Sequence, residues 1–148
     1  MSPIKKAGVI PYIRTDRGVE MLFMVTSDAK YGGPDPMIGK GIIDPGETPE
    51  QAGLREGHEE LGLKESNFAN TPFLVKDSEI QGLCGDPYAM RILAVEVKNK
   101  EDFDVPHYET DHTVWLTYDE YFQRGRENQR EYVSGLIELL TIDSKVKM

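Results

Sequence analysis

Hydrophobic residues near the N-terminus fall into two short runs separated by turn-forming residues. Residues 7–14 and 21–26 are apolar and rich in residues that favour β-structure. Asp16, Arg17 and Gly18 lie between these runs, and this composition is typical of a hairpin turn. The pattern therefore predicts two strands joined as a β-hairpin.

A strong helix start follows in the middle of the chain. Thr48 is suited to the N-cap, Pro49 to the first helical position, and Gln51 completes a capping box. We expect this helix to end near Leu61, because Gly62 supplies a C-terminal stop.

The apolar pattern of the second half predicts two strands and a closing helix. Residues 90–97 predict a buried strand and residues 113–116 a shorter one. Residues 127–142 predict a C-terminal helix, since four apolar residues recur there at helical spacing: Val133, Leu136, Ile137 and Leu140. Residues 30–35, rich in Gly, Pro and Asp, predict a loop, and the polar residues 77–87 have no clear assignment.

The order strands, helix, strands, helix predicts an α/β fold in which a mixed β-sheet packs between helices. The chain has 148 residues and shows no repeat, low-complexity tract or linker, so we expect one domain spanning residues 1–148. Its 39% hydrophobic and 29% charged residues are typical of a soluble globular protein.

The net charge of -9 argues against a nucleic-acid-binding surface, which needs an excess of Lys and Arg. If the ligand of such an acidic protein is a polyphosphate, local cations must hold it, and a bound metal is the obvious choice. Cys84 is the single cysteine, which excludes an intrachain disulfide and a CxxC-type metal site.

Cellular location can also be predicted from the sequence. The absence of a disulfide fits a reducing compartment. No apolar run approaches the roughly 20 residues that span a bilayer, and residues 1–6 are not followed by a signal-peptide stretch. We expect a cytoplasmic protein that binds neither membranes nor nucleic acids.

Three carboxylates fall on one arc of the predicted helix. At about 100° per residue, Glu60 lies about 40° to one side of Glu56 and Glu59 about 60° to the other side. Leu54 and Leu61 lie on the opposite face of the helix. Acids this close repel one another by a few tenths of a kcal/mol per pair. A hard divalent cation such as Mg²⁺ would turn the repulsion into a binding site that uses substrate phosphates as further ligands. The alternative interpretation is an ordinary solvated acidic face.

The segment around this helix resembles the Nudix box. That pattern is Gly, five residues, Glu, seven residues, Arg-Glu, an apolar residue, any residue, Glu-Glu, any residue, Gly and an apolar residue. The corresponding places in the chain are filled by Gly41, Glu47, Arg55, Glu56, Glu59, Glu60, Gly62 and Leu63. The resemblance implies a Nudix-like α/β/α sandwich.

By the same resemblance, Glu59 and Glu60 are the principal ligands of Mg²⁺, with Mn²⁺ as the alternative ion. Glu56 is implied to be a third ligand or the group that activates water. The backbone carbonyl of Gly41, or of Lys40 before it, is implied to be a further ligand.

Two other residues are expected to serve catalysis. Arg55, which we include among the catalytic residues, resembles with Glu47 the structural ion pair of the family. Glu109 lies six residues before Trp115, in a stretch similar to the acidic segment from which family members take another ligand or base. The alternative for Glu109 is an ordinary polar loop.

Substrate contacts are predicted at three positions. Lys40 precedes the box glycine, as in family members that act on dinucleoside and inositol polyphosphates, and is a candidate for phosphate contact. Tyr12 and Tyr31 are candidates for stacking on a base, because aromatic faces suit that contact. The alternatives are an exposed lysine and two tyrosines that serve packing.

The function implied by the resemblance is Mg²⁺-dependent hydrolysis of a pyrophosphate bond in a nucleotide-derived small molecule. The first substrate hypothesis is a dinucleoside polyphosphate or an ADP-ribose-like compound. The alternatives are a nucleoside triphosphate pyrophosphatase of the sanitising type, a nucleotide-binding module with little turnover, and a structural acidic protein without a metal site.

One position departs from the box. Gly57 stands where the family usually has a bulky aliphatic residue, and Gly53 lies one turn earlier. Each glycine destabilises a helix by roughly 1 kcal/mol relative to alanine. Either another element approaches this stripe closely, or the helix is locally loose.

Overall fold

The computed structural model describes residues 2–26, 35–80, 86–107 and 109–146. Within these ranges, six strands form one mixed sheet in the order β4-β5-β1-β2-β6, with β3 paired to β1. The strands are β1 (Ile4–Thr15), β2 (Gly18–Thr26), β3 (Gly39–Ile42), β4 (Phe73–Ile80), β5 (Tyr88–Glu96) and β6 (Thr110–Thr117). The helices are α1 (Pro49–Leu61), α2 (Tyr118–Arg124) and α3 (Arg130–Val146), with short 3-10 turns at Glu65–Asn67 and Glu127–Gln129.

Strand β1 is the centre of the sheet, and its neighbours position the start of the box. One edge of β1 pairs in parallel with β5. Two strands share the opposite edge. Strand β3 pairs antiparallel with residues Lys6 to Val9, and β2 pairs antiparallel with residues Tyr12 to Thr15. Strand β3 therefore lies beside the first half of β1, where it also contacts α1.

Alternate residues of the central strands point to opposite faces of the sheet and contact different helices. Val9 and Leu93 belong to an apolar cluster that Leu54 of α1 joins. Their neighbours Ile10 and Ile92 pack on the other face with buried residues of α2 and α3, among them Tyr121, Tyr132, Val133 and Leu136. This arrangement confirms the predicted α/β/α sandwich with a mixed sheet between helices.

The ends of α1 agree with the predicted cap and stop. The Thr48 hydroxyl accepts a hydrogen bond from the Gln51 amide at 3.1 Å, and the Gln51 side chain accepts one from the Thr48 amide at 2.9 Å. Gly62 has a φ of 75°, the left-handed conformation that glycine adopts readily, and its amide bonds back to the helix. The helix bounds are thus determined by short-range signals.

The two glycines inside α1 reflect close packing rather than looseness. A Cβ on Gly57 would lie 2.5 Å from Val9 Cγ1, and a Cβ on Gly53 would lie 3.1 Å from the Gly8 carbonyl oxygen. Both neighbours belong to β1, so α1 approaches the central strand more closely than larger residues would permit. The bulky aliphatic residue usual at position 57 is therefore excluded by Val9.

Several sequence predictions are confirmed and others need correction. The hairpin of β1 and β2, the strands β5 and β6, and the closing helix α3 were all expected. Strands β3 and β4 and helix α2 were not, and the unassigned residues 77–87 in fact begin with the last four residues of β4. Most of the predicted loop at residues 30–35, and Cys84, lie outside the described residues. No described helix is both long and apolar enough to cross a membrane.

Candidate active site

Helix α1 presents its three acids toward β3 and the segment before β6. Glu56 is the most enclosed, with its side chain 11% exposed, and Glu59 is 33% exposed. Glu60 Oε2 accepts a hydrogen bond from the Lys40 amide at 2.9 Å. A Cβ on Gly41 would collide with the Glu56 carboxylate, so glycine there is what lets this carboxylate lie against β3.

Burial makes two of these acids difficult to ionise. Burial raises the pKa of Glu60 to about 7, and the negative charges of Glu56 and Glu109 add to this rise, while the bond from the Lys40 amide opposes it. The pKa of Glu56 is also raised, first by burial and then by the charge of Glu59. The acid face therefore favours a bound proton or another cation.

Arg55 connects the acid face to the turn before the helix. Its Nε and Nη2 donate to the two oxygens of Glu47 at 2.8 and 3.0 Å, and Nη2 also donates to the Ile42 carbonyl at 2.9 Å. Its Nη1 donates to Glu56 at 2.9 Å and to Glu59 at 3.3 Å. The predicted pair of Arg55 and Glu47 is present, and the same guanidinium also holds two of the acids.

The effect of Arg55 on its partners differs with their environment. Its hydrogen bonds are the main cause that lowers the pKa of Glu47. For Glu56, the attraction of Arg55 only partly offsets the effect of burial. Arg55 therefore keeps the loop carboxylate ionised while leaving the acid face short of positive charge.

Backbone contacts bring Glu109 toward the end of α1. The His107 amide donates to the Glu59 carbonyl at 2.7 Å, and the Thr110 hydroxyl donates to the Glu60 carbonyl at 2.9 Å. Glu109 lies between these two anchors, and its charge raises the pKa of both Glu56 and Glu60. The structure thus places Glu109 in the electrostatic field of the acid face.

Lys40 is partly buried and lies beside Glu60. Burial lowers the pKa of Lys40, the positive charge of Lys6 lowers it further, and Glu60 opposes both. Arg126, from the connection between α2 and α3, also acts on Lys40. Sequence reasoning missed Arg126, because no local pattern relates that connection to β3.

The two tyrosine candidates have different outcomes. Tyr12 is 2% exposed and packs edge-on against Phe73 at a ring-centroid distance of 6.2 Å. It is therefore a core residue on the α2 and α3 face, and stacking on a base is not supported, which corrects the expectation for this residue. Tyr31 lies outside the described residues.

Comparisons with known proteins identify the family to which this constellation belongs. A family model described as NUDIX domain matches residues 5–136. The chain belongs to the Nudix family. A relative named as an uncharacterized Nudix hydrolase, orf19 of Rhodococcus erythropolis, is 39% identical over 59 residues, which cover 38% of this chain and 31% of that protein. The match spans about a third of that relative's length.

Solved structures show the same fold at low sequence identity. The Ap4A hydrolase of C. elegans in a binary complex has a TM-score of 0.74 at 18% identity, covering 93% of this chain and 98% of that chain. The NUDIX domain of Shewanella oneidensis NrtR, crystallised with ADP ribose, has a TM-score of 0.69 at 11% identity, covering 95% and 90%. At these identities the likeness demonstrates the Nudix fold alone.

Nudix hydrolases generally need divalent cations, and the carboxylates of the acid face are the candidate ligands for one in this chain. Among the described residues, no three His, Cys, Asp or Glu side chains are already arranged around one metal position. Arg55 and the Lys40 amide instead hold the acid oxygens separately. The donor set nevertheless fits, because it consists of carboxylate oxygens, and the pKa values of Glu56 and Glu60 are raised by burial and by neighbouring negative charges.

Proposed function

We propose that this Nudix protein is a Mg²⁺-dependent pyrophosphohydrolase, with Mn²⁺ as the alternative ion. The observation that carries the proposal is the crowded acid face of α1, whose Glu60 has a pKa raised to about 7 by burial. Crowded carboxylates destabilise a fold unless a cation compensates them. The retention of all the box acids in this chain favours turnover over simple nucleotide binding.

The ligands proposed for the ion are Glu56, Glu59 and Glu60, with the backbone carbonyl of Gly41. A divalent ion held there would polarise phosphoryl oxygens and lower the pKa of an attacking water. Glu109 is proposed to receive the proton of an attacking water, since the backbone contacts of its neighbours hold it beside the acid face and its charge acts on both Glu56 and Glu60. In-line displacement at phosphorus then yields a nucleotide and a phosphorylated remainder.

Arg55 is proposed to act as a positioning residue. Its contacts are with carboxylates of the protein, and it fixes the distance between the turn at Glu47 and the acids of α1. Lys40 is proposed to contact a phosphate of the substrate, because it adjoins Glu60 and carries positive charge into an otherwise acidic site.

The proposed substrate is a dinucleoside polyphosphate or an ADP-ribose-like compound. The fold is shared with a protein named as an Ap4A hydrolase and with a domain crystallised with ADP ribose. A cavity of about 770 Å³ along α1 also supports a large second moiety, because Arg55 borders it while Leu63, Phe68 and Pro72 supply apolar walls.

The decisive experiment is a nucleotide panel assayed with Mg²⁺ and with EDTA, in which the nucleotide and phosphate products are resolved. We expect hydrolysis that requires the divalent ion and is lost in Glu59→Gln and Glu60→Gln. Glu138→Gln is the matched control, because Glu138 is exposed on α3, which packs on the other face of the sheet. Glu109→Gln should lower kcat by roughly 10²- to 10⁴-fold, as expected for removal of a general base.

The product pattern separates the proposal from its alternatives. Cleavage of nucleoside triphosphates in preference to linked nucleotides would identify a triphosphate pyrophosphatase instead. Thermal stabilisation by nucleotides without products would identify a binding module. An unchanged rate in Glu60→Gln would refute the assignment of the acid face.

A further inference from the structure

Arg126 is a partly buried cation to which the proposed chemistry assigns no role. Its Nε and Nη2 atoms are buried and have no hydrogen-bond partner within the described part of the chain. A buried donor without a partner destabilises the folded state, and native proteins contain few of them. An arginine held in this way calls for an explanation other than stability.

The two unpaired nitrogens form the edge of the guanidinium that binds oxyanions. Arg55 uses this Nε and Nη2 edge to hold Glu47 at 2.8 and 3.0 Å. Arg91 uses it to hold both oxygens of Asp77, each at 2.8 Å. At Arg126 the same edge is enclosed, and Asp35, whose charge acts on Arg126, makes no hydrogen bond to it.

Two long-range hydrogen bonds place Arg126 beside the segment that precedes β3 and Lys40. The Arg126 amide donates to the Pro36 carbonyl at 3.2 Å. Three residues further, the Gln129 side chain accepts from the Ile38 amide at 2.8 Å. These bonds fasten the connection between α2 and α3 to the segment that leads into β3 and Lys40.

We propose that Arg126 binds a phosphate group in the phosphate chain of the substrate, on the Lys40 side of the acid face. This inference deepens the proposed function and rests on it for the identity of the ligand. A guanidinium edge matches the geometry of two phosphate oxygens and gives charge-assisted hydrogen bonds. A protein of net charge -9 needs such local cations to hold a polyanion.

The same structure predicts that Arg126 opposes stability while it favours binding. Replacing it with methionine keeps a similar length and removes the unpaired donors, so the folded protein should be at least as stable. Binding of a phosphate chain should weaken by roughly tenfold or more, the effect of losing a charge-assisted contact. If Arg126 only stabilised the fold, Arg126→Met would lower the stability and leave phosphate binding unchanged.

The test uses inorganic tripolyphosphate, which has a phosphate chain but no nucleoside, titrated calorimetrically in EDTA against the whole protein. Arg126→Met and Arg126→Lys are compared with Arg124→Met, a matched control that removes one exposed arginine at the end of α2. We expect the affinity to fall about tenfold in Arg126→Met, to fall less in Arg126→Lys, and to stay unchanged in Arg124→Met. The melting temperature of Arg126→Met should equal or exceed that of the wild type.

Each contrary result overturns the inference. Wild-type protein that does not bind tripolyphosphate, or equal losses in Arg124→Met and Arg126→Met, would show that Arg126 is no specific phosphate contact. If Arg126→Met does not fold, Arg126→Lys decides, since unchanged affinity in that variant would exclude a role for the guanidinium edge. Absence of turnover in the wild type would refute the proposed function. Normal turnover in the wild type, together with unchanged tripolyphosphate affinity in Arg126→Met, would refute only the role of Arg126.

Discussion

Substitution of Gly57 by alanine tests how closely α1 packs against the central strand β1. In an exposed helix this change stabilises the fold by about 1 kcal/mol. Here the new Cβ would lie 2.5 Å from Val9 Cγ1 and 3.3 Å from Leu63 Cδ2. Val9 is fully buried and β-branched, so it has little freedom to move away.

The magnitude follows from these two opposing effects. Overpacking a well-packed core destabilises by about 1–3 kcal/mol, and a contact this short lies toward the upper end. After the gain in helix propensity is subtracted, Gly57→Ala should lower the free energy of unfolding by about 1–2 kcal/mol.

A matched control is available in α3. A Cβ on Gly135 would lie 3.5 Å from Val75 Cγ1, which is an ordinary van der Waals contact. Gly135→Ala should therefore stabilise the protein by about 1 kcal/mol, so the same chemical change has opposite signs at the two positions.

Urea denaturation in EDTA measures both effects, provided that the slope with denaturant stays constant. In the double variant Val9→Ala with Gly57→Ala, the clash is relieved and a coupling energy of at least about 1 kcal/mol is expected. Stabilisation by Gly57→Ala alone, or absence of coupling to Val9, would refute the close packing of α1 on β1.

Two further predictions concern the charges of the site. Arg55→Lys should lower kcat by at least about tenfold and also lower the free energy of unfolding, because one ammonium cannot hold Glu47 by two bonds and also reach Glu56. Activity assays and urea unfolding check this, and wild-type values for both would contradict it. The second prediction is a pH dependence due to Glu60, whose pKa rises from 4.5 to about 7 on folding. The folded state then binds the proton more tightly than the unfolded state, so the contribution to stability is complete below pH 4.5 and is lost as the pH rises to about 7. At about 1.4 kcal/mol per pKa unit, the free energy of unfolding of the wild type should fall by about 3 kcal/mol relative to Glu60→Gln between pH 4.5 and pH 8 in EDTA. A difference that does not change with pH would exclude burial of an ionisable Glu60.

The sequence alone determined the features that depend on neighbours along the chain. The cap at Thr48, the stop at Gly62 and the helical spacing of Glu56, Glu59 and Glu60 are short-range signals, and the structure contains each of them. The box pattern also indicated the family, because glycine and charged residues at this fixed spacing form a specific motif. The hairpin of β1 and β2 was predictable for the same local reason.

Only the tertiary structure decided which distant residues meet. Strand β4 carries a half-exposed, mixed pattern and exists as a strand through its pairing with β5, and α2 is too short to show a helical period. The choice between close packing and looseness at Gly57 depended on Val9, and burial separated Tyr12 from any substrate contact. Arg126 reached the vicinity of Lys40 only through hydrogen bonds between segments far apart in sequence, and periodicity or spacing within one segment does not encode such contacts.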